Sequence, residues 1–174
     1  MRNQQRPFYF FSSLDNNTMS FFNPQNRQRT GSLLVALQFG LLLFLGVLCT
    51  PQIRDGQSSW VAVGLAVMSA IWGGWTLLYN RLGNFNIHPE PKVNGVLVTG
   101  GPYRLVRHPM YGAVLLAAAA LAALSASWLG ALAWGSLLWV LWQKATLEEQ
   151  WLCEHHAGYA AYRQTTKRFI PGMV

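Results

Sequence analysis

The sequence predicts an all-α fold, a multi-pass membrane bundle of about four spans arranged as two helical hairpins. Three observations predict it. Apolar residues make up 52% of the 174-residue chain and charged residues only 11%, a composition far from that of a soluble domain. Several uncharged runs are long enough to cross a bilayer. Basic residues gather at the ends of those runs rather than along one helical face. The net charge of +7 therefore fits lipid topology better than a nucleic-acid surface, and no nucleic-acid partner is expected.

Residues 1–30 are rich in Asn, Gln, Ser, Phe and Arg, without an apolar core of signal-peptide length, and are expected to be a disordered cytoplasmic tail; Met19 is an alternative start. The membrane domain follows, over 31–174. Its first span, 31–50, carries no charge, and at 1.5 Å per residue about 20 residues match a hydrocarbon core of about 30 Å. Pro51 and a short polar loop end it. The second span, 59–79, is bracketed by Trp60 and Tyr79 as interfacial anchors. From Asn80 to Arg107 runs a polar connection dense in turn residues, long enough to be read as functional. The uncharged stretch after Pro109 is broken only at Ser125-Ala126-Ser127, which predicts spans over 109–125 and 127–146 with a tight turn between them. Residues 147–174 form the C-terminal segment.

Arg2, Arg6, Arg27 and Arg29 precede the first span, Arg81, Lys92, Arg104 and Arg107 lie between the second and third, and Lys144, Arg163, Lys167 and Arg168 follow or end the fourth. Only Arg54, beside Asp55, lies on the other side. The excess of Lys and Arg puts both termini and the central connection in the cytoplasm.

The stretch Thr99–Gly112, TGGPYRLVRHPMYG, is the least plausible part of the chain as plain packing. Pro102 suits the start of a short helix and Pro109 the start of the third span. A helical turn between them would put Tyr103 on the face of Arg107, and Arg104 on that of His108. Gly100 and Gly101 permit close backbone approach or positive φ. N–H groups at Pro109 to Tyr111, at the root of the helix, suit an anion. Glu148 and Glu149 end the fourth span on the same membrane face; carboxylates there need the helix to continue, as LEEQWLCEHHAGY, or a cation nearby. Arg107, Glu148 and Glu149 are the candidate catalytic residues. His155 and His156 with Cys153 lack metal-ligand spacing, so no metal is expected. The tail GYAAYRQTTKRFIPG reads as a basic segment on the membrane surface or a cover for a ligand.

The run GPYRLVRHPMYG, an apolar hairpin, LEEQWL and then YAAYRQTTKRFIPG resembles the isoprenylcysteine carboxyl methyltransferase family and the related phospholipid N-methyltransferases. The resemblance covers roughly residues 80 to 172. It implies an S-adenosylmethionine site open to the cytoplasm, with cofactor contacts from Gly95, Val96, Leu97 and Val98, from Tyr103, from His108, Pro109, Met110 and Tyr111, and from Glu148; Gly101 joins them for close backbone approach. A lipophilic or lipid-anchored acceptor would enter from the bilayer, among membrane lipids. Two departures stand out: His156-Ala157-Gly158 replaces a Phe-Gly type sequence, and Lys144 stands where the family often has Arg.

The chemistry of the residues fits independently. A cationic or N–H-rich spot, a carboxylate and aromatic rings answer the carboxylate, ammonium, sulfonium and adenine of that cofactor. A carboxylate acceptor needs no general base, whereas an amine must lose a proton, for which His108 or Glu149 is available. The expected function is therefore methyl transfer to a prenylcysteine-type carboxylate or similar lipophilic acceptor at the cytoplasmic face. Three alternatives remain: phospholipid N-methylation, an NADPH-dependent membrane reductase of the sterol reductase type, and a non-catalytic membrane subunit.

Overall fold

A computed structural model describes residues 24–57, 59–80 and 97–172. Among them the chain is helical: α1 Pro24–Leu48, α2 Thr50–Arg54, α3 Trp60–Asn80, a 3₁₀ turn at Gly101–Arg104, α4 Pro109–Ser125, α5 Trp128–His155 and α6 Tyr159–Thr165. Most of the expected tail, and residues 81–96 of the central connection, lie outside the described residues.

Two helices are long and apolar enough to cross a membrane, Asn26–Leu48 with mean hydropathy 2.3 and Trp60–Asn80 with 1.7. Their outward faces carry exposed Leu33, Leu37, Phe44 and Val47 on α1 and Val61, Val67, Ile71 and Leu78 on α3. Water would penalise such faces and hydrocarbon does not. α1 begins at Pro24 rather than near Gly31. The physical reason is that Gln and Arg are good helix formers and Pro suits a first turn, so the helix continues upstream of its apolar part. α4 is apolar and 17 residues long, while α5 continues past its apolar part for 28 residues, about 42 Å.

The hairpins interleave through small residues and polar contacts to backbone. α3 lies along α4, where Ser69 Oγ donates to the Ala113 carbonyl at 2.8 Å and Trp72 Nε1 to the Pro109 carbonyl at 2.9 Å. α1 packs along α5, and a core of Leu45, Leu115, Ala118, Leu137, Leu141, Ala145 and Phe169 joins α1, α4, α5 and the tail. At the end far from the tail, Cys49 Sγ donates to the Leu121 carbonyl at 2.9 Å and Gln52 Nε2 to the Ser125 carbonyl at 3.1 Å. The α4–α5 turn falls at Ser125–Ser127: Ala126 takes left-handed φ 46°, and Ser127 caps α5 by accepting from Leu129 N–H at 3.2 Å.

Gly101 shows what its glycine is for. It has φ +57°, and an added Cβ would lie 2.5 Å from Tyr79 Cδ2, while a Cβ on Gly100 would collide with the Tyr79 hydroxyl. The end of α3 is thus laid directly on the backbone entering the 3₁₀ turn. Gly101→Ala should destabilise the protein by about 2–3 kcal/mol through strain and collision together, read as a fall in the midpoint of thermal unfolding in detergent. An unchanged midpoint would mean that Tyr79 does not pack there.

Candidate functional site

The polar corner is made where the foot of α4, the polar extension of α5 and the tail meet. Pro102 opens the 3₁₀ turn, which ends at Arg104. The chain then extends, and Val106 forms a parallel bridge with Lys167. Arg107 N–H donates to the Lys167 carbonyl at 2.7 Å and His108 N–H to the Arg168 carbonyl at 3.1 Å. The expected helical pairing of Tyr103 with Arg107 and of Arg104 with His108 is therefore corrected, because the tail captures the backbone at Val106 to His108 and the helical turn stops short of Arg107. At the root of α4, the N–H groups of Tyr111 and Gly112 donate to the His108 carbonyl at 3.1 and 3.2 Å.

Glu149 is the hub. Its residue is 1% exposed. Arg107 Nε reaches its Oε1 at 2.9 Å, His108 Nε2 the same oxygen at 3.1 Å, and Arg168 grips both oxygens through Nε at 3.1 Å and Nη2 at 2.9 Å. Arg163 adds an ion pair at 3.4 Å. Arg107 Nη1 also donates to the carbonyls of Arg163, at 3.1 Å, and Thr166. Arg168 in turn stacks on Trp142, its guanidinium carbon 4.4 Å from the ring centroid. The continuation of α5 and this ring of cations resolve the unfavourable position of a carboxylate pair after a membrane helix.

Glu148, the neighbour, faces differently. Its side chain is 32% exposed. Oε2 accepts from the Tyr111 hydroxyl at 2.8 Å and lies 3.5 Å from His108 Nδ1. The His108 and Tyr111 rings stack with centroids 5.3 Å apart, and Phe169 closes on both rings edge-on. His108 thus sits between two carboxylates, one buried in the hub and one open to the outside.

The charge states follow. Burial pushes the Glu149 carboxyl toward its neutral form, but hydrogen bonds from His108, Arg168 and Arg107 outweigh it and hold it well below the usual carboxylate range. Burial likewise opposes ionisation of Glu148, and His108 and Tyr111 bring it net below its ordinary value. Burial favours neutral His108, yet bonds to Glu148 and Glu149 raise it above 6.5. The stability that Glu149 contributes is full above the ordinary 4.5 and is lost as pH falls through its lower folded value. That of His108 is full below 6.5 and is lost as pH rises through its higher folded value. The thermal midpoint should therefore fall on both sides of a plateau in the mildly acidic range, and His108→Gln should remove the alkaline slope. A midpoint rising steadily above pH 7 would contradict this.

The other expected site residues fall as follows. Gly95 and Val96 lie outside the described residues. Leu97 and Val98 are half-buried in the extended approach to the 3₁₀ turn. Gly101 lies under Tyr79. Tyr103 accepts at its carbonyl from the Tyr162 hydroxyl at 2.6 Å, and its own hydroxyl is pushed up, by burial first and then by the charge of Glu148. Pro109 is buried, and Met110 half-buried, in the first turn of α4. The structure thus brings Arg107, His108, Tyr111, Glu148 and Glu149 together. Sequence reasoning missed Arg168 and Arg163 as partners of Glu149. The available signal was the scarcity of acid: six Asp and Glu against 13 Lys and Arg leave a buried carboxylate pair certain to collect cations.

Apolar outward-facing helices and a polar corner at their foot define a helical membrane protein. The family described as phospholipid methyltransferase matches over residues 58–158, more than half of the chain, and the chain belongs to that family of membrane methyltransferases. It is of the same superfamily as the isoprenylcysteine carboxyl methyltransferases. No curated protein and no solved structure matches the chain.

Proposed function

We propose that the protein transfers a methyl group from S-adenosylmethionine to a lipophilic acceptor at the cytoplasmic face of a membrane that it crosses four times, with both termini cytoplasmic. One observation carries the reading. Glu148 is partly exposed beside two stacked rings, while the hub cations are turned onto Glu149. The donor set suits the cationic half of the cofactor: Glu148 would hold the ammonium, and the Tyr103 and Tyr111 rings would face the sulfonium or adenine. The bound cofactor supplies the electrophilic methyl group. Phe169, itself in edge contact with Trp142 at 5.8 Å, backs the stacked His108 and Tyr111 rings.

The acceptor is read from the same corner. Two carboxylates raise the proton affinity of His108, and the cations around Glu149 lower that of its carboxyl. Both expected bases are thus already engaged in the hub, Glu149 by its cations and His108 by the two carboxylates. An acceptor that arrives ionised, a carboxylate of the prenylcysteine type, requires none. The second reading, phospholipid N-methylation, is favoured by the family match, and its amine would have to reach the site unprotonated. Membranes incubated with methyl-labelled S-adenosylmethionine decide between them. Base-labile ester supports the first, and stable lipid amine the second. No label, with NADPH oxidation, would favour a reductase; neither would leave a non-catalytic membrane subunit.

A further inference from the structure

α1 lies outside the family-matched segment and serves most simply as an anchor. Two of its features do not suit that role. Gln38, in the middle of an otherwise apolar helix, is buried at 7% exposure, and Lys144 on α5 is buried at 2%. The Lys144 ammonium donates to Gln38 Oε1 at 2.7 Å. A buried ammonium is costly compared with an aliphatic side chain of similar size, so its presence calls for a function.

The remaining contacts of Lys144 show where it acts. Its ammonium lies 5.2 Å from the centroid of the Tyr111 ring. The Tyr111 hydroxyl donates to Glu148 Oε2, and Lys144 and Glu148 are one helical turn apart on α5, on one face. A continuous chain of contacts therefore runs from Gln38 through Lys144 and Tyr111 to the open carboxylate. Gln38 fixes the ammonium, the ammonium fixes the ring by cation–π attraction, and the ring hydroxyl fixes the rotamer of Glu148.

We propose that Gln38 and Lys144 are positioning residues that make α1 part of the cofactor site, by holding Tyr111 and through it the carboxylate of Glu148. The inference rests on the reading of Glu148 as a cofactor ligand. It goes beyond that reading in giving a role to two buried polar groups and to α1, a helix outside the family-matched segment.

The test separates positioning from mere structure by opposite signs. Lys144→Met and the double variant Gln38→Leu with Lys144→Met are purified in detergent, and both the thermal midpoint without ligand and the affinity for S-adenosylhomocysteine are measured. The double variant removes both buried polar groups together, so its midpoint should equal or exceed that of wild type. Its affinity should nevertheless fall about tenfold or more, as should that of Lys144→Met. Lys144→Arg, which keeps a cation over the ring, should recover part of the loss. Affinity within twofold of wild type in the double variant overturns the proposal. So does a loss of affinity that only accompanies a lowered midpoint, since that marks a structural pair. If wild type itself fails to bind S-adenosylhomocysteine, the cofactor reading falls and this inference with it; binding by wild type with no effect of the variants removes the inference alone.

Discussion

Glu149→Ala should cost about 3–5 kcal/mol of stability, the largest effect of any single change at the site. Removing this carboxylate strands two guanidinium groups, of Arg107 and Arg168, whose side chains are each only 10% exposed. It also removes one of the two carboxylate partners of the buried His108. Burying unpaired cations costs far more than the pair contributes over apolar neighbours, so the loss follows from what remains and not from what is gone. The tail should loosen from α5, because Arg168 loses its grip on the carboxylate of that helix while the tail keeps its ties to the segment before α4. The expected result is a fall of about 10 °C or more in the thermal midpoint, with new protease cleavage after Tyr162. Glu149→Ala with an unchanged midpoint would show that the hub does not form.

Glu148→Gln should give the opposite profile. The side chain is 32% exposed and keeps an acceptor for Tyr111, so the fold should be nearly unaffected. Loss of the charge should weaken binding of S-adenosylhomocysteine about 10–100-fold, the range expected for one charge-assisted hydrogen bond. The measurement is isothermal titration in detergent beside a melting curve. Equal affinity in wild type and Glu148→Gln would take Glu148 out of the cofactor site. Adjacent glutamates that differ only in exposure and partners would thus divide the work, one holding the site together and one serving it.

Much of the fold was legible because its determinants are local. The α4–α5 turn at Ser125–Ser127 shows as the one polar interruption in an apolar run, and the ends of α4 at Pro109 and Ser125 follow from it. The start of α1 at Pro24 did not show, because hydropathy marks where lipid begins and not where helix does. Within the site, Arg107, His108, Tyr111 and the Glu pair were legible as an unlikely concentration of polar groups. The division of labour between Glu148 and Glu149 was not, since consecutive residues on a helix point about 100° apart and only the tail decides which one meets the cations. Gly101 was legible as special, but the occupant of its space, Tyr79, belongs to an element far away in sequence.

The parallel bridge between Val106 and Lys167 also fixes an order of assembly. Helices α1, α3, α4 and α5 precede residue 159, so all of them have left the ribosome before Arg168 does. During that interval Glu149 has Arg107 and His108 but lacks the side chain that grips both of its oxygens. The helices are therefore made before their polar corner can close, and Arg168 acts as its latch.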